Sequence, residues 1–161
     1  MTLTTHAVVG AAVASLLPSH PLLGIGAAFF SHFFVDAIPH WDYQINSRSV
    51  NPSIGEKMHI DKALFKDIGR IGLDAVLGLT LALFFFGPIA PLVLVFFGAV
   101  AGMLPDPLQF VYAHFKHEPL LTLQRFHIWM HSKNHLENRQ LFGITSQLAF
   151  ILSTIFLRLL L

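Results

Sequence analysis

Phe29-Phe-Ser-His32-Phe-Phe-Val-Asp36-Ala-Ile-Pro39-His40-Trp-Asp42 starts inside an apolar run that opens near Pro21 and ends in a polar turn. His32 and Asp36 are four residues apart, so on a helix they lie one above the other on one face. Pro39 biases Ile38 away from the helical region, which predicts a helix end there. His40 and Asp42 then follow the C-terminus, where the helix dipole favours a bound cation. Four residues of metal-ligand type thus fall within about three helical turns. An ionisable side chain in lipid costs about 2.5 kcal/mol or more, so His32 and Asp36 read first as functional. The plain alternative is a polar pair bonded to neighbouring helices.

The rest of the chain agrees with a membrane setting. Of 161 residues, 54% are hydrophobic and 12% charged, and the mean hydropathy is +0.63. Soluble domains carry about 25% charged residues. The expectation is an all-α, polytopic membrane helix bundle forming a single domain over 1–161. The net charge of +1 argues against a nucleic-acid partner, and the absence of cysteine removes disulfides, thiolate ligands and a cysteine nucleophile. Ten histidines and nine carboxylates remain for chemistry. Such donors suit a borderline or hard divalent ion, zinc or manganese.

About five apolar spans are expected: Leu3–Leu17, Pro21–Ile38, Ile71–Gly87, Pro88–Leu104 and Leu141–Leu161. The first and fourth are at or below the length of about 17–25 residues that spans a bilayer. Pro18–Pro21 and Gly87–Pro91 read as tight helical hairpins. The N-terminal segment lacks a basic n-region, so it is expected to be retained, although Ala12-Val-Ala14 resembles a cleavage site. Lys and Arg gather in the 39–70 and 105–140 connections, which the positive-inside rule places in the cytoplasm with the N-terminus; the C-terminus is then external. Asn46–Ile60 reads as a polar loop, and Asp61–Arg70 as a helical extension of the third span with Asp67 and Arg70 as a solvated ion pair. Leu120–Glu137 reads as an amphipathic surface helix with His127, His131 and His135 along one face.

A weak repeat pairs 3–40 with 71–106. His6-Ala-Val-Val-Gly10 matches Asp74-Ala-Val-Leu-Gly78, and Ile38-Pro-His40 matches Leu104-Pro-Asp106. It places His6, His40, Asp74 and Asp106 at one membrane depth. The candidate metal ligands are therefore His6, His32, Asp36, His40, Asp42, Asp74 and Asp106. His127 and His131 are candidate catalytic groups, as general acid and base or as further ligands.

Three short stretches resemble the bacterial inner-membrane proteins grouped as membrane-bound metal-dependent hydrolases. Ser31-His32-Phe-Phe-Val-Asp36-Ala-Ile-Pro39 is similar to that family's Ser-His-x-x-x-Asp motif. Leu104-Pro105-Asp106 is similar to its Leu-Pro-Asp motif, and His127-Ile-Trp-Met-His131-Ser132 to its His-Arg-Gly-x-Thr-His-Ser motif. Ile128 stands in place of the family's basic residue, with Arg125 the nearest substitute, and the order of the first two motifs differs. The His-x-x-x-Asp pair followed by a further His also has a fainter likeness to zinc-dependent phospholipase C. The resemblance implies a metal-dependent hydrolase of the inner membrane; a phosphoester is the expected substrate at the cytoplasmic face, and a lipid is natural because the site would open at the membrane surface. The alternative is an ion-binding or transport protein without catalysis. A transport route needs polar groups near the midplane and on both sides. Here the ionisable residues crowd one end.

Overall fold

The computed structural model describes residues 1–42, 44–45, 48–51, 55–58, 62–133, 136 and 139–161. Seven helices dominate: α1 (Leu3–Ser15), α2 (Pro21–Asp36), α3 (Lys62–Phe86), α4 (Leu92–Met103), α5 (Pro105–His114), α6 (Leu120–Met130) and α7 (Gln140–Leu160). A two-stranded antiparallel ribbon, β1 (Arg48–Asn51) and β2 (Gly55–Met58), pairs Arg48 with Met58 and Asn51 with Gly55. The expected 46–60 loop is thus partly a hairpin. Alternating side chains leave a strand's backbone groups free to pair even in a polar segment.

The span count among the described residues is lower than expected. α3 and α7 are long and apolar enough to cross a membrane; α4 and α5, bent by 45° at their junction, make a third if they act as one. Helices α1 and α2 are shorter, about 20 and 24 Å at 1.5 Å per residue. The reason lies in what surrounds α1. Twelve of its thirteen residues are buried, so it is apolar on every side because protein encloses it. Apolar composition alone does not separate such a core helix from a lipid-facing one.

Small residues let the core close. A Cβ added to Gly102 would collide with the His6 carbonyl oxygen, and one on Gly10 would lie 2.5 Å from that of Gly98. The α1 and α4 backbones therefore touch, as small residues permit between membrane helices. Ala7, Val8, Ala11, Phe86, Val95, Ala99, Ile151 and Ile155 fill one continuous apolar cluster around this contact. On α2, Gly24, Ala28, His32 and Asp36 recur every four residues and face inward, while Leu22, Leu23, Phe30 and Phe34 point outward. Leu73, Val76, Phe84, Leu152 and Phe156 likewise leave α3 and α7 apolar on the outside. An apolar exterior around buried ionisable groups is the arrangement lipid selects.

Polar ties set the helix directions. Gln147 of α7 accepts from the Thr2 amide at 3.0 Å, and Arg158, three turns on, donates to the Ser15 hydroxyl at 2.7 Å and carbonyl at 3.0 Å. α7 therefore runs parallel to α1. His32 Nδ1 meets the Gly102 carbonyl at 2.9 Å, so the C-terminal ends of α2 and α4 lie together beside the N-terminus of α1. α3 is one unbroken helix from Lys62, which absorbs the expected extension. Asp67 is buried on it, not solvated as expected, whereas Arg70 is exposed.

Candidate metal centre

The polar end of the bundle collects side chains from five places in the chain. α1 brings His6, α2 brings His32 and Asp36, the turn after α2 brings His40 and Asp42, α5 brings Asp106, and the α6 region brings His127 and His131. Asp36 is the hub. Its Oδ2 lies 3.1 Å from His32 Nε2 and 3.1 Å from His127 Nε2. Its Oδ1 lies 3.1 Å from His6 Nε2 and 3.8 Å from His40 Nε2. Asp106 Oδ1 stands 3.6 Å from His32 Nε2 and 4.0 Å from His127 Nε2. His6, His32, Asp36, His40 and His127 are each at most 2% exposed.

Local structure explains the aim of each group. The i, i+4 spacing puts His32 and Asp36 on the inward stripe of α2. The Gly102 carbonyl can only accept, so the His32 Nδ1 carries the proton and Nε2 presents its lone pair. His40 is set the same way by the Ile38 carbonyl at 2.6 Å, and His131 by that of Ser132 at 3.2 Å. Asp106 opens α5, and Gln109 one turn on donates to its Oδ1 at 3.2 Å. Gln124 of α6 in turn donates to Gln109 at 3.3 Å. The Phe33 and Phe126 rings meet edge to face at 4.8 Å, seating α6 over α2 so that His127 reaches Asp36.

His131 arrives by a route that helical spacing did not predict. α6 ends at Met130, and His131 is extended. The Ser132 amide donates to the Asp36 carbonyl at 2.8 Å, and the Leu136 amide to that of His40 at 3.0 Å. Those bonds replace the next helical turn, so the expected helix to Glu137 is not formed. Glu137 and His135 lie outside the described residues.

Two donor sets emerge. His32, Asp36, Asp106 and His127 offer ligand atoms all within 4.8 Å of one another, and so do Asp36, His40 and His131. A tetrahedron with metal–ligand bonds of 2.0–2.1 Å has edges of about 3.3 Å. The edges of 3.1, 3.1, 3.6 and 4.0 Å in the first set bracket that value. Three buried ring nitrogens, both of His6 and Nε2 of His32, have no hydrogen-bond partner among the described residues. Buried polar atoms are otherwise nearly always satisfied. A lone pair on His32 Nε2 facing a carboxylate oxygen is repulsive until a cation lies between them. The residues present therefore fit a divalent ion.

Other charges shape the rim. The α-ammonium of Met1 lies 2.7 Å from Asp36 Oδ1 and 3.0 Å from Asp42 Oδ1. Burial works against its charge, but Asp36, Asp42 and Asp106 outweigh burial and raise its pKa. Burial also opposes the charge on Asp42, yet His40, 3.0 Å from its Oδ2, and the Met1 ammonium hold its carboxyl well below the usual range. Burial lowers the His131 imidazole despite the pull of Asp36, which keeps it neutral near pH 7. A cavity of 310 Å³ lined by Gln109, His127, Ile128, His131, Ser132 and Lys133 adjoins the cluster. Lys133 supplies its cation; Arg125 is exposed on α6 and is not among the lining residues.

Asp74 has a different engagement. Its carboxylate accepts from the Thr4 amide at 3.2 Å and the Thr4 hydroxyl at 2.6 Å, tying α3 to the first turn of α1. It belongs to neither donor set. Gln109, Gln124, Gln147, Lys133 and the Met1 amine were not anticipated from sequence. Gln109 and Gln124 each sit three residues from a candidate group on a helix, a spacing that marks a shared face. Gln147 was visible as an amide inside an apolar helix.

The chain matches no protein-family model, and no curated protein or solved structure is detectably similar to it.

Proposed function

We propose that this chain is a membrane-embedded, metal-dependent hydrolase of a phosphoester, with a lipid substrate, acting at the cytoplasmic face of a bacterial-type inner membrane. One observation bears most of the weight. The proton on His32 Nδ1 is committed to Gly102, so its buried Nε2 turns a lone pair toward the Asp36 carboxylate at 3.1 Å. His127 and Asp106 close a four-donor set around the same point. Zinc or manganese suits those donors.

A divalent ion held there supplies Lewis acidity toward a phosphoryl oxygen and lowers the pKa of water toward 7. The chain's own groups do the rest. The cavity walled by His127 and His131 admits the phosphoester beside the donors. Lys133 meets its negative charge at the rim. His131, 24% exposed, presents Nε2 to the donors at the cavity wall, and the proton of the attacking water leaves through that cavity to solvent. The water oxygen bonds to phosphorus, the bond to the alcohol oxygen breaks, and that oxygen takes up a proton. Gln109 and Gln124 hold Asp106 in place from behind.

The site lies at the N-terminal end of α1, beside the segments that hold most of the Lys and Arg residues. That placement supports a cytoplasmic site, and a lipid headgroup can reach it from the membrane surface. The test is metal analysis of the detergent-purified protein, paired with release of phosphate or alcohol from phospholipid vesicles and soluble phosphoesters. Stoichiometric metal with chelator-sensitive hydrolysis supports the reading. Bound metal without hydrolysis of any phosphoester favours the ion-binding or transport alternative, and metal-free protein overturns both.

A further inference from the structure

We infer that the centre holds two divalent ions, with the Asp36 carboxylate bridging them. The inference rests on the metal-site reading above and adds a second site made of Asp36, His40, Asp42 and His131.

Asp36 turns its two oxygens to different partners. Oδ2 faces His32 and His127, and that set is closed by Asp106. Oδ1 faces His6 and His40. Beyond it, Asp42 Oδ2 stands 3.0 Å from His40 Nε2 and 3.7 Å from His131 Nε2. His131 Nε2 is also 3.9 Å from Asp36 Oδ2, the oxygen that faces the first set. These separations again bracket the edge of about 3.3 Å expected for a tetrahedral ion. Both histidines meet a backbone carbonyl through Nδ1, so both present Nε2 to the second site.

Two independent observations mark the position as one for a cation. The Met1 ammonium is lodged between Asp36 Oδ1 and Asp42 Oδ1, at 2.7 and 3.0 Å. A positive charge therefore already sits between the two carboxylates of the second set. Beside it, His6 Nε2 is fully buried, has no hydrogen-bond partner among the described residues, and lies 3.1 Å from the same Asp36 oxygen.

Charge balance gives the second ion a role. Asp36, Asp42 and Asp106 together carry three negative charges, and neutral histidines add none. One dication together with the Met1 ammonium would leave the centre neutral toward an anionic phosphoester. Two bring it to +1, which attracts one. Ions sharing a carboxylate sit about 3.5–4 Å apart, the separation at which a pair stabilises both the attacking and the leaving oxygen. The second ion displaces the Met1 ammonium, because the two positive charges compete for the same carboxylates.

The test is titration of chelator-stripped, detergent-purified protein with Mn(II), read by metal content per chain and by low-temperature electron paramagnetic resonance. Two ions per chain with an exchange-coupled spectrum are expected. His131→Ala and His40→Ala should each retain one ion with an isolated-ion spectrum, and the retained ion shows that the fold survives. Asp36→Asn should abolish the coupling. One isolated ion in the wild type overturns the second site and leaves the hydrolase reading standing; the ammonium is then the second cation. Two uncoupled ions overturn the bridge. No bound ion overturns the inference and the metal-site reading together. The wild-type count decides the matter even if a variant fails to fold.

Discussion

Asp36 is the residue on which the centre turns. It is 1% exposed and within 3.1 Å of three imidazoles. A buried carboxylate needs compensating charge or hydrogen bonds, or it destabilises the fold. If its role were only structural, Asp36→Asn would be neutral or stabilising, because an amide is cheaper to bury. As a metal ligand it behaves otherwise. Metal at about 100 times its Kd stabilises the folded state by about 2.7 kcal/mol. For a chain of this size that raises Tm by about 5–10 °C. The wild type should therefore melt about 5–10 °C higher with zinc or manganese than with chelator, and Asp36→Asn should show little difference. Identical responses in the two proteins would remove the metal from the centre. This residue was legible in sequence because a carboxylate four positions after a histidine, inside an apolar run, is costly to bury unless it binds a cation. Met1 and Lys133 were not, since nothing in their neighbours signals that the fold brings Met1 to Asp36 and Lys133 to the adjoining cavity.

Among the elements, the α1–α4 contact governs the geometry. The Gly102 carbonyl orients His32, and the same residue packs its missing side chain against His6. Gly102→Ala must push α1 from α4 and shift both histidines. Overpacking of this kind costs about 1–3 kcal/mol. The variant should melt lower and also lose metal affinity, measured by titration of the stripped protein. Gly26→Ala is the matched control. Its added Cβ meets nothing within 4 Å, and alanine favours a helix by about 0.8–1 kcal/mol over glycine. It should keep or raise Tm and leave metal binding unchanged. Loss of metal in Gly26→Ala, or its retention in Gly102→Ala, would detach the site from this helix contact. Sequence placed α1, α2, α4 and α7 within a few residues, but it ran α6 past Met130 and did not anticipate α5. It did not show that α1 is enclosed, because a core helix and a lipid-facing helix have the same composition.

Over the whole molecule, the two ends of α1 separate two kinds of polar interaction. Met1, His6 and the ligands lie at one end, and Arg158 with Ser15 at the other. Arg158→Ala removes two hydrogen bonds from a charged donor, each worth about 1.5–3 kcal/mol. It should lower Tm while leaving the response to metal and chelator intact. A lost metal response would mean that the ends are coupled. Because α7 runs parallel to α1, the chain termini fall at opposite ends of the bundle. Reporter fusions at the two termini should accordingly give opposite sidedness, with the N-terminus cytoplasmic; equal sidedness would mean that α7 does not cross.

Composition and spacing alone announced a helical chain with apolar segments and a His/Asp centre near Phe29–Asp42, because helical periodicity and burial cost act on residues close in sequence. They named Asp106 and His127 as candidates for the same chemistry. The fold then did what local pattern has no means to do. It joined His6, Asp36, Asp106, His127 and His131 from separate segments, and turned Asp74 to hold Thr4. It placed α1 inside protein, so among the described residues two or three helices are long and apolar enough to cross a membrane where about five apolar spans were expected. It also ended α6 at Met130, because backbone bonds from Ser132 and Leu136 to the segment after α2 replaced another helical turn. Those outcomes depend on contacts between residues up to about a hundred positions apart, whose competition is resolved only when the helices pack.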